Sequence, residues 1–146
     1  MKHLDLLGSE LKSDFLCDLF ETYDVQVVYE YDRTHENLAD VYRAEIPDLG
    51  LQFVFDEGQL LQTLFMQPVE VTTFNPFEVD ERIQRFASKR EARRYAENNG
   101  MRITEGTADF MGEQRDWIRL ESDTRSIHYE YVHSGLRMIT LQTTNA

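Results

Sequence analysis

The sequence predicts an α+β domain, a largely antiparallel β-sheet with two main helices packed on it. Three observations carry that expectation. Segments alternating with period two outnumber those with helical spacing. Two glycine-bearing loops, Asp56-Glu57-Gly58 and His133-Ser134-Gly135, join pairs of such segments as hairpins. Only two stretches carry helix signals, one before each group of strands. The 146 residues suit one domain, 1–146, able to bury a core without cross-links.

Ser9 to Thr22 reads as the first helix, with Leu11, Phe15, Leu16, Leu19 and Phe20 at three- and four-residue spacing. Cys17 falls at or beyond the edge of that stripe. Val25 to Asp32 then alternates, Val25, Val27, Tyr29 and Tyr31 on one face and Gln26, Glu30 and Asp32 on the other. A polar loop leads to a strand over Asp40–Ile46, and Pro47-Asp48-Leu49-Gly50 is a turn. Leu51 to Phe55 alternates, whereas Leu60 to Met66 is apolar on both faces, as in a strand inside a sheet covered on both sides. Gly58, in the loop between them, is available for a positive φ. Pro76 to Phe86 is a helical turn or a linker.

The second helix is better marked. Ser88 and Glu91 form a capping box, Ala92, Tyr95 and Ala96 a narrow buried stripe, and Asn98-Asn99-Gly100 a stop. Arg102–Glu105 is a weak strand and Asp116–Glu121, with Trp117, a stronger one. Ser126–Val132 alternates Ile127, Tyr129 and Tyr131 against His128 and Glu130, and the hairpin continues through Leu136–Leu141.

Charge is the most informative bulk property. The net charge is −12, and residues 1–57 contribute −10 of it, with 14 acidic and four basic side chains. Such a front half disfavours nucleic acid and anionic membrane, whose binding draws on Lys and Arg. It favours a basic partner attracted by complementary potential. The single cysteine forms no internal disulfide, no apolar run reaches 18 residues, and Asp5 interrupts Met1–Gly8. Cytoplasmic residence is the expectation.

Chemistry is not advertised. There is no C-x-x-C, H-E-x-x-H, EF-hand loop, G-x-S-x-G or phosphate-cradling glycine loop. His128 and Glu130, two apart on a strand with His133 nearby, are the nearest approach to a metal set, and they read as the polar face of a half-buried strand. Cys17 lies among Asp14, Asp18 and Glu21, which work against thiolate formation. The expectation is therefore no catalytic residue, no metal and no cofactor. Six basic residues, Arg82, Arg85, Lys89, Arg90, Arg93 and Arg94, crowd a 13-residue window. They read as a solvated helix face paired with Glu91, Glu97 or the acidic front half, with little aromatic interleaving for nucleic acid.

Leu49 to Met66 resembles a hairpin common among bacterial immunity proteins of polymorphic and contact-dependent toxin systems. So does the ending, in which Arg115–Arg119 precedes Ser126–Tyr131 and Leu136–Leu141. The resemblance covers about a third of the chain. It implies a cytoplasmic antitoxin that binds a cognate toxin domain, often a basic one, and occludes its active site. The contact surface expected from the residues is Glu30, Asp32, Asp40, Asp56 and Glu57, beside Tyr29 and Tyr31. A regulatory or adaptor module without a toxin, or a small metal-dependent enzyme, are the alternatives.

Overall fold

The computed structural model describes residues 1–31, 38–71, 73–78 and 80–144. Eight strands form one sheet: β1 (Val28–Glu30), β2 (Val41–Ile46), β3 (Leu51–Phe55), β4 (Leu61–Met66), β5 (Arg102–Phe110), β6 (Glu113–Glu121), β7 (Arg125–Val132) and β8 (Gly135–Thr143). Their order is β1-β2-β3-β4-β8-β7-β6-β5, and every pairing is antiparallel. Each half of the chain is thus a four-stranded meander. The last strand of each meets the other at the centre, where Leu64 lies opposite Leu141 and Met66 opposite Ile139.

The helices are smaller than the two main helices expected. They are α1 (His3–Leu6), α2 (Asp14–Thr22) and α3 (Lys89–Asn98), with a 3-10 turn over Pro47–Leu49. The stretch from Ser9 does not join α2, because its backbone pairs with the sheet instead. Gly8 N–H donates to Leu61 O, Leu61 N–H to Ser9 O and Leu11 N–H to Gln59 O, each over 2.8 Å. α2 therefore begins only after Ser13, and it buries Leu16 and Phe20 but leaves Phe15 51% exposed. A nine-residue helix has room for one narrow apolar face, and Phe15 falls outside it.

Register places the apolar set on one face of the sheet. Ala44, Phe53, Leu64, Leu141, Ile127 and Leu120 form one row across it, and Ile46, Leu51, Met66, Ile139, Tyr129 and Ile118 the next. All but the half-buried Ile127 are nearly inaccessible to solvent. α2 seats Phe20 edge-on against Phe53 at 5.2 Å and against Phe55 at 6.3 Å. The connection from β4 to β5 must pass from the sheet's centre to its far edge. In doing so it lays Phe77, Ile83, Phe86, Ala92 and Ala96 over the second half of the same face. Phe86 contacts Tyr95 and Tyr129, each at 5.2 Å, and its carbonyl accepts from the Tyr131 hydroxyl.

Several local expectations change. β1 spans three residues rather than eight, while β5 runs nine residues where only Arg102–Glu105 was expected. Continuous pairing to β6 from Arg102 to Phe110 holds β5 out, despite its Gly106. In the β3–β4 loop the left-handed residue is Gln59, φ 63°, not Gly58. β4 does occupy the inside of the sheet, but the face bearing Thr63 and Phe65 carries no helix among the described residues. The Ser88 hydroxyl accepts from Glu91 N–H as a capping box requires, yet the Glu91 carboxylate takes Ala87 N–H rather than that of Ser88. The stop after Asn98 is a Schellman closure, Gly100 at φ 65° and Met101 N–H donating to Ala96 O.

α1 is clamped from below by a buried carboxylate. Asp80 Oδ2 accepts from both the His3 backbone N–H at 3.0 Å and ring Nδ1 at 3.2 Å, while Oδ1 accepts from Arg82 N–H. Burial holds the His3 imidazole below its ordinary value of 6.5, against the opposing pull of Asp80 and Glu78 and together with the repulsion of the Met1 ammonium. Burial opposes ionisation of Asp80, but the Arg82 and His3 donors outweigh it and keep the carboxyl below its usual value. The folded state thus resists proton uptake at both groups, and the unfolded chain binds protons first as pH falls. Stability is complete above about pH 6.5 and declines below it, as the unfolded His3 protonates. His128, lowered by burial and by Arg119, acts in the same direction. Urea unfolding at about pH 7.5 and 5.5 is expected to show this loss in the native chain. The loss should be smaller in His3→Gln and smaller still in His3→Gln/His128→Gln; equal losses in all three would exclude the assignment.

Candidate functional site

Two surfaces stand apart from the core: an acidic corner at the β1 edge, and the sheet face that no helix among the described residues covers. The corner gathers most of the residues expected to contact a partner. Tyr29 lies opposite Tyr42 across β1 and β2, with ring centroids 4.9 Å apart, and stacks with Tyr31 at 6.2 Å. The Tyr29 hydroxyl donates to Asp40 Oδ2 over 2.5 Å, and Asp40 N–H donates to Glu57 Oε1 over 3.0 Å. That hydrogen bond to Asp40, with burial and neighbouring negative charge, pushes the Tyr29 phenol up to about 12, so it stays a protonated donor at physiological pH.

Asp56 and Glu57 reach the corner because the β3–β4 hairpin ends beside the start of β2. Asp56 Oδ1 accepts from Leu60 N–H over 3.0 Å and so also shapes its own turn. Glu30 is adjacent in sequence but points to the opposite face, where it pairs with Arg43 at 2.8 Å. The structure therefore brings Asp40, Asp56 and Glu57 together and separates Glu30 from them. Asp32 lies outside the described residues. About half of the Tyr29 and Tyr31 surface remains exposed, as does Val28 between Val27 and Tyr29.

Topology gives the charge asymmetry a direction. Because β1–β4 and β5–β8 lie side by side and α2 packs on β3, the described acidic residues of α2, β1–β4 and their loops fall in one half of the molecule. The basic cluster at 82–94 is largely spent on structure. Arg82 pairs with Asp5 at 3.0 Å, Arg85 caps Phe77 O while lying over its ring, and Lys89 reaches Gly106 O. Arg93 grips Glu105 through two bonds of 2.9 and 2.6 Å. Pairing with the front half through Asp5 agrees with the expectation, but Arg93 uses Glu105 on β5 rather than Glu97.

The open face was only partly legible. Its central groove, about 560 Å³, runs across β3, β4, β8, β7 and β6 and is lined by Gln52, Phe65, Arg119, His128, Glu130 and Arg137 among others. His128 and Glu130 share this face as their spacing required. Trp117 stacks on His128 at 5.3 Å, with the rings within 15°. It also covers Gly106, where a Cβ would sit 2.9 Å from the indole. Glu130 is bound by Arg137 at 2.5 Å and approached by Arg115 at 3.7 Å. The period-two placement of Trp117 with Arg119, opposite His128 with Glu130, was the available signal. Which strands lie adjacent was not.

Among the described residues no group of three or more His, Cys, Asp or Glu is placed to hold a metal ion, and no helix is long and apolar enough to cross a membrane. No family model, curated protein or solved structure matches the chain.

Proposed function

We propose that this chain is a non-catalytic binding protein that captures a basic protein partner at its acidic, tyrosine-lined edge. The partner we favour is the toxin domain of a bacterial immunity pair, held in the cytoplasm and blocked sterically. The observation that carries the reading is the concentration of negative charge on the β1–β4 side, next to the exposed tyrosines of a short edge strand. Negative potential over a broad surface accelerates encounter with a basic protein, and tyrosine supplies contact area at low entropic cost. The resemblance of Leu49–Met66 and of the closing strands to immunity-protein hairpins supports the choice of partner class.

The test is capture of partners from the native host by tagged protein, with washes at low and high salt. The expected result is one stoichiometric basic protein whose toxicity the chain suppresses on co-expression. A collection of abundant proteins, or a partner whose activity is unchanged by binding, would remove the antitoxin reading. With that partner in hand, the Asp56→Lys/Glu57→Lys double variant is expected to slow association about tenfold at low salt. Thermal melting serves as the folding control, and an unchanged association rate would displace the contact surface from this edge.

A further inference from the structure

We propose that β5 is a self-association edge, at which two copies of the chain pair their β5 strands antiparallel about a two-fold axis through Gly106. The pairing would make one continuous sheet. It does not rest on the partner assigned to the acidic edge, which it leaves open at both ends.

β5 ends the sheet, pairs with β6 along its whole length without a bulge, and contains no proline. A long, regular edge of this kind is a template for another strand unless something blunts it. The two-residue turn at Met111-Gly112, both with positive φ, makes Phe110 and Glu113 the hydrogen-bonded pair that closes the hairpin. By alternation Ile103, Glu105, Thr107 and Asp109 turn their N–H and C=O groups outward. Lys89 does reach Gly106 O, but that carbonyl belongs to the row facing β6.

Register selects a second copy as the occupant. Across a two-fold only residues of like alternation can pair, so the axis passes through a residue. An axis at Glu105 sets that carboxylate against its own copy, and one at Thr107 sets Glu105 against Asp109. An axis at Gly106 opposes no like charges and engages β5 from end to end. Arg102 then lies opposite Phe110, Ile103 opposite Asp109, Thr104 opposite Ala108 and Glu105 opposite Thr107. Gly106 meets its own copy in the closer, non-hydrogen-bonded kind of pair, about 4.5 Å between Cα atoms. Each copy's Trp117 indole, which covers Gly106, would lie beside that axis.

The same register covers the hairpin tip. Phe110 is 51% exposed and Met111 93%, more than any other large apolar side chain described after residue 57. The tip of one copy reaches the start of the other's β5, where Asn99, Gly100, Arg102, Glu121 and Asp123 line a hollow of about 220 Å³. There Phe110 meets the Arg102 guanidinium and Met111 meets Met101. Charge distribution agrees, since residues 58–146 carry only −2 of the net −12. Joining through β5 keeps the two acidic halves at opposite ends, where they repel least.

Sedimentation velocity of the native chain over a range of concentrations is expected to show a reversible monomer–dimer equilibrium, the contact being small beside those of permanent dimers. Added salt should strengthen it by screening net repulsion, the reverse of its effect on capture of a basic partner. Thr107→Pro removes an outward N–H, and Met111→Asp puts a charge on the tip at a left-handed position that aspartate tolerates. Each should weaken dimerisation about tenfold or more, with circular dichroism as the folding control. Register is read by cross-linking in a Cys17→Ser background. Thr104→Cys and Ala108→Cys chains, mixed and oxidised, should give a disulfide-linked heterodimer. Neither alone should link, because like positions would lie about 13 Å apart. A monomer at every concentration and salt, a dimer unaffected by folded Met111→Asp, or cross-linking without this preference would each overturn the proposal.

Discussion

Phe53→Ala is expected to lower the unfolding free energy by about 4 kcal/mol. Phe53 has no solvent exposure and sits at the centre of β3, with Phe20 edge-on above it and Phe55 stacked beside it at 6.4 Å. Removing the ring forfeits its transfer free energy and leaves a cavity between α2 and the sheet. Neighbours on both strands cannot close that cavity, because the Ala44 and Leu64 positions are set by register. Phe15→Ala is the matched control. Its ring is half exposed on the outer side of α2, so a change within about 0.5 kcal/mol is expected. Urea denaturation of both variants measures the contrast, and comparable losses would mean that α2 packs through a different face.

Gly50→Ala is expected to cost about 3 kcal/mol or to prevent folding, for reasons of backbone rather than core. Gly50 closes the 3-10 turn in the left-handed region at φ 66°, where a Cβ is already unfavourable. Here it would also lie 2.2 Å from Asn75 O and 2.8 Å from Phe77 N, both main-chain atoms that cannot swing aside. The approach is tight because Gly50 O accepts from Gln67 N–H, and Gln67 O in turn accepts from Phe77 N–H, each over 2.8 Å. The connection toward α3 is pinned to the β2–β3 corner by this chain of bonds. The destabilisation should therefore extend to the packing of Phe77 and Phe86, visible as faster amide exchange along residues 67–86. Gly100, also left-handed but with nothing within 4 Å of its would-be Cβ, separates the two causes. Gly100→Ala should cost no more than about 1–2 kcal/mol.

How much of this was legible beforehand differs from element to element. β3, β4, β7 and α3 lie within a residue or two of where alternation and capping put them, because those signals are local. Ser88 reaches Glu91 N–H and Gly100 turns left-handed whatever surrounds them. The first helix was misjudged because helical spacing of Leu11, Phe15 and Leu16 says nothing of competing partners. Leu61 and Gln59 claim the backbone of residues 8–11 for the sheet. Only Arg102–Glu105 read as a strand, and a weak one, yet nine paired residues of β6 and the Trp117 indole lying over Gly106 hold β5 in strand form.

By itself the sequence determined a largely antiparallel sheet with a few helices, four strands in the first half and three or four in the second, the two glycine-bearing hairpins and the acidic bias of the front half. These follow from local preference and from composition, which need no knowledge of distant contacts. Tertiary structure alone decided that β4 pairs with β8, and with that the make-up of the open sheet face. That pairing joins residues nearly 80 apart in the chain, so it depends on long-range register rather than on any local pattern. It places the strongly acidic first half beside a nearly neutral second half, and Phe65 in a row with His128 and Arg119. Among the described residues it also leaves one face of the sheet without a helix, because both meanders turn their apolar residues to the side where α2, α3 and the long connection lie.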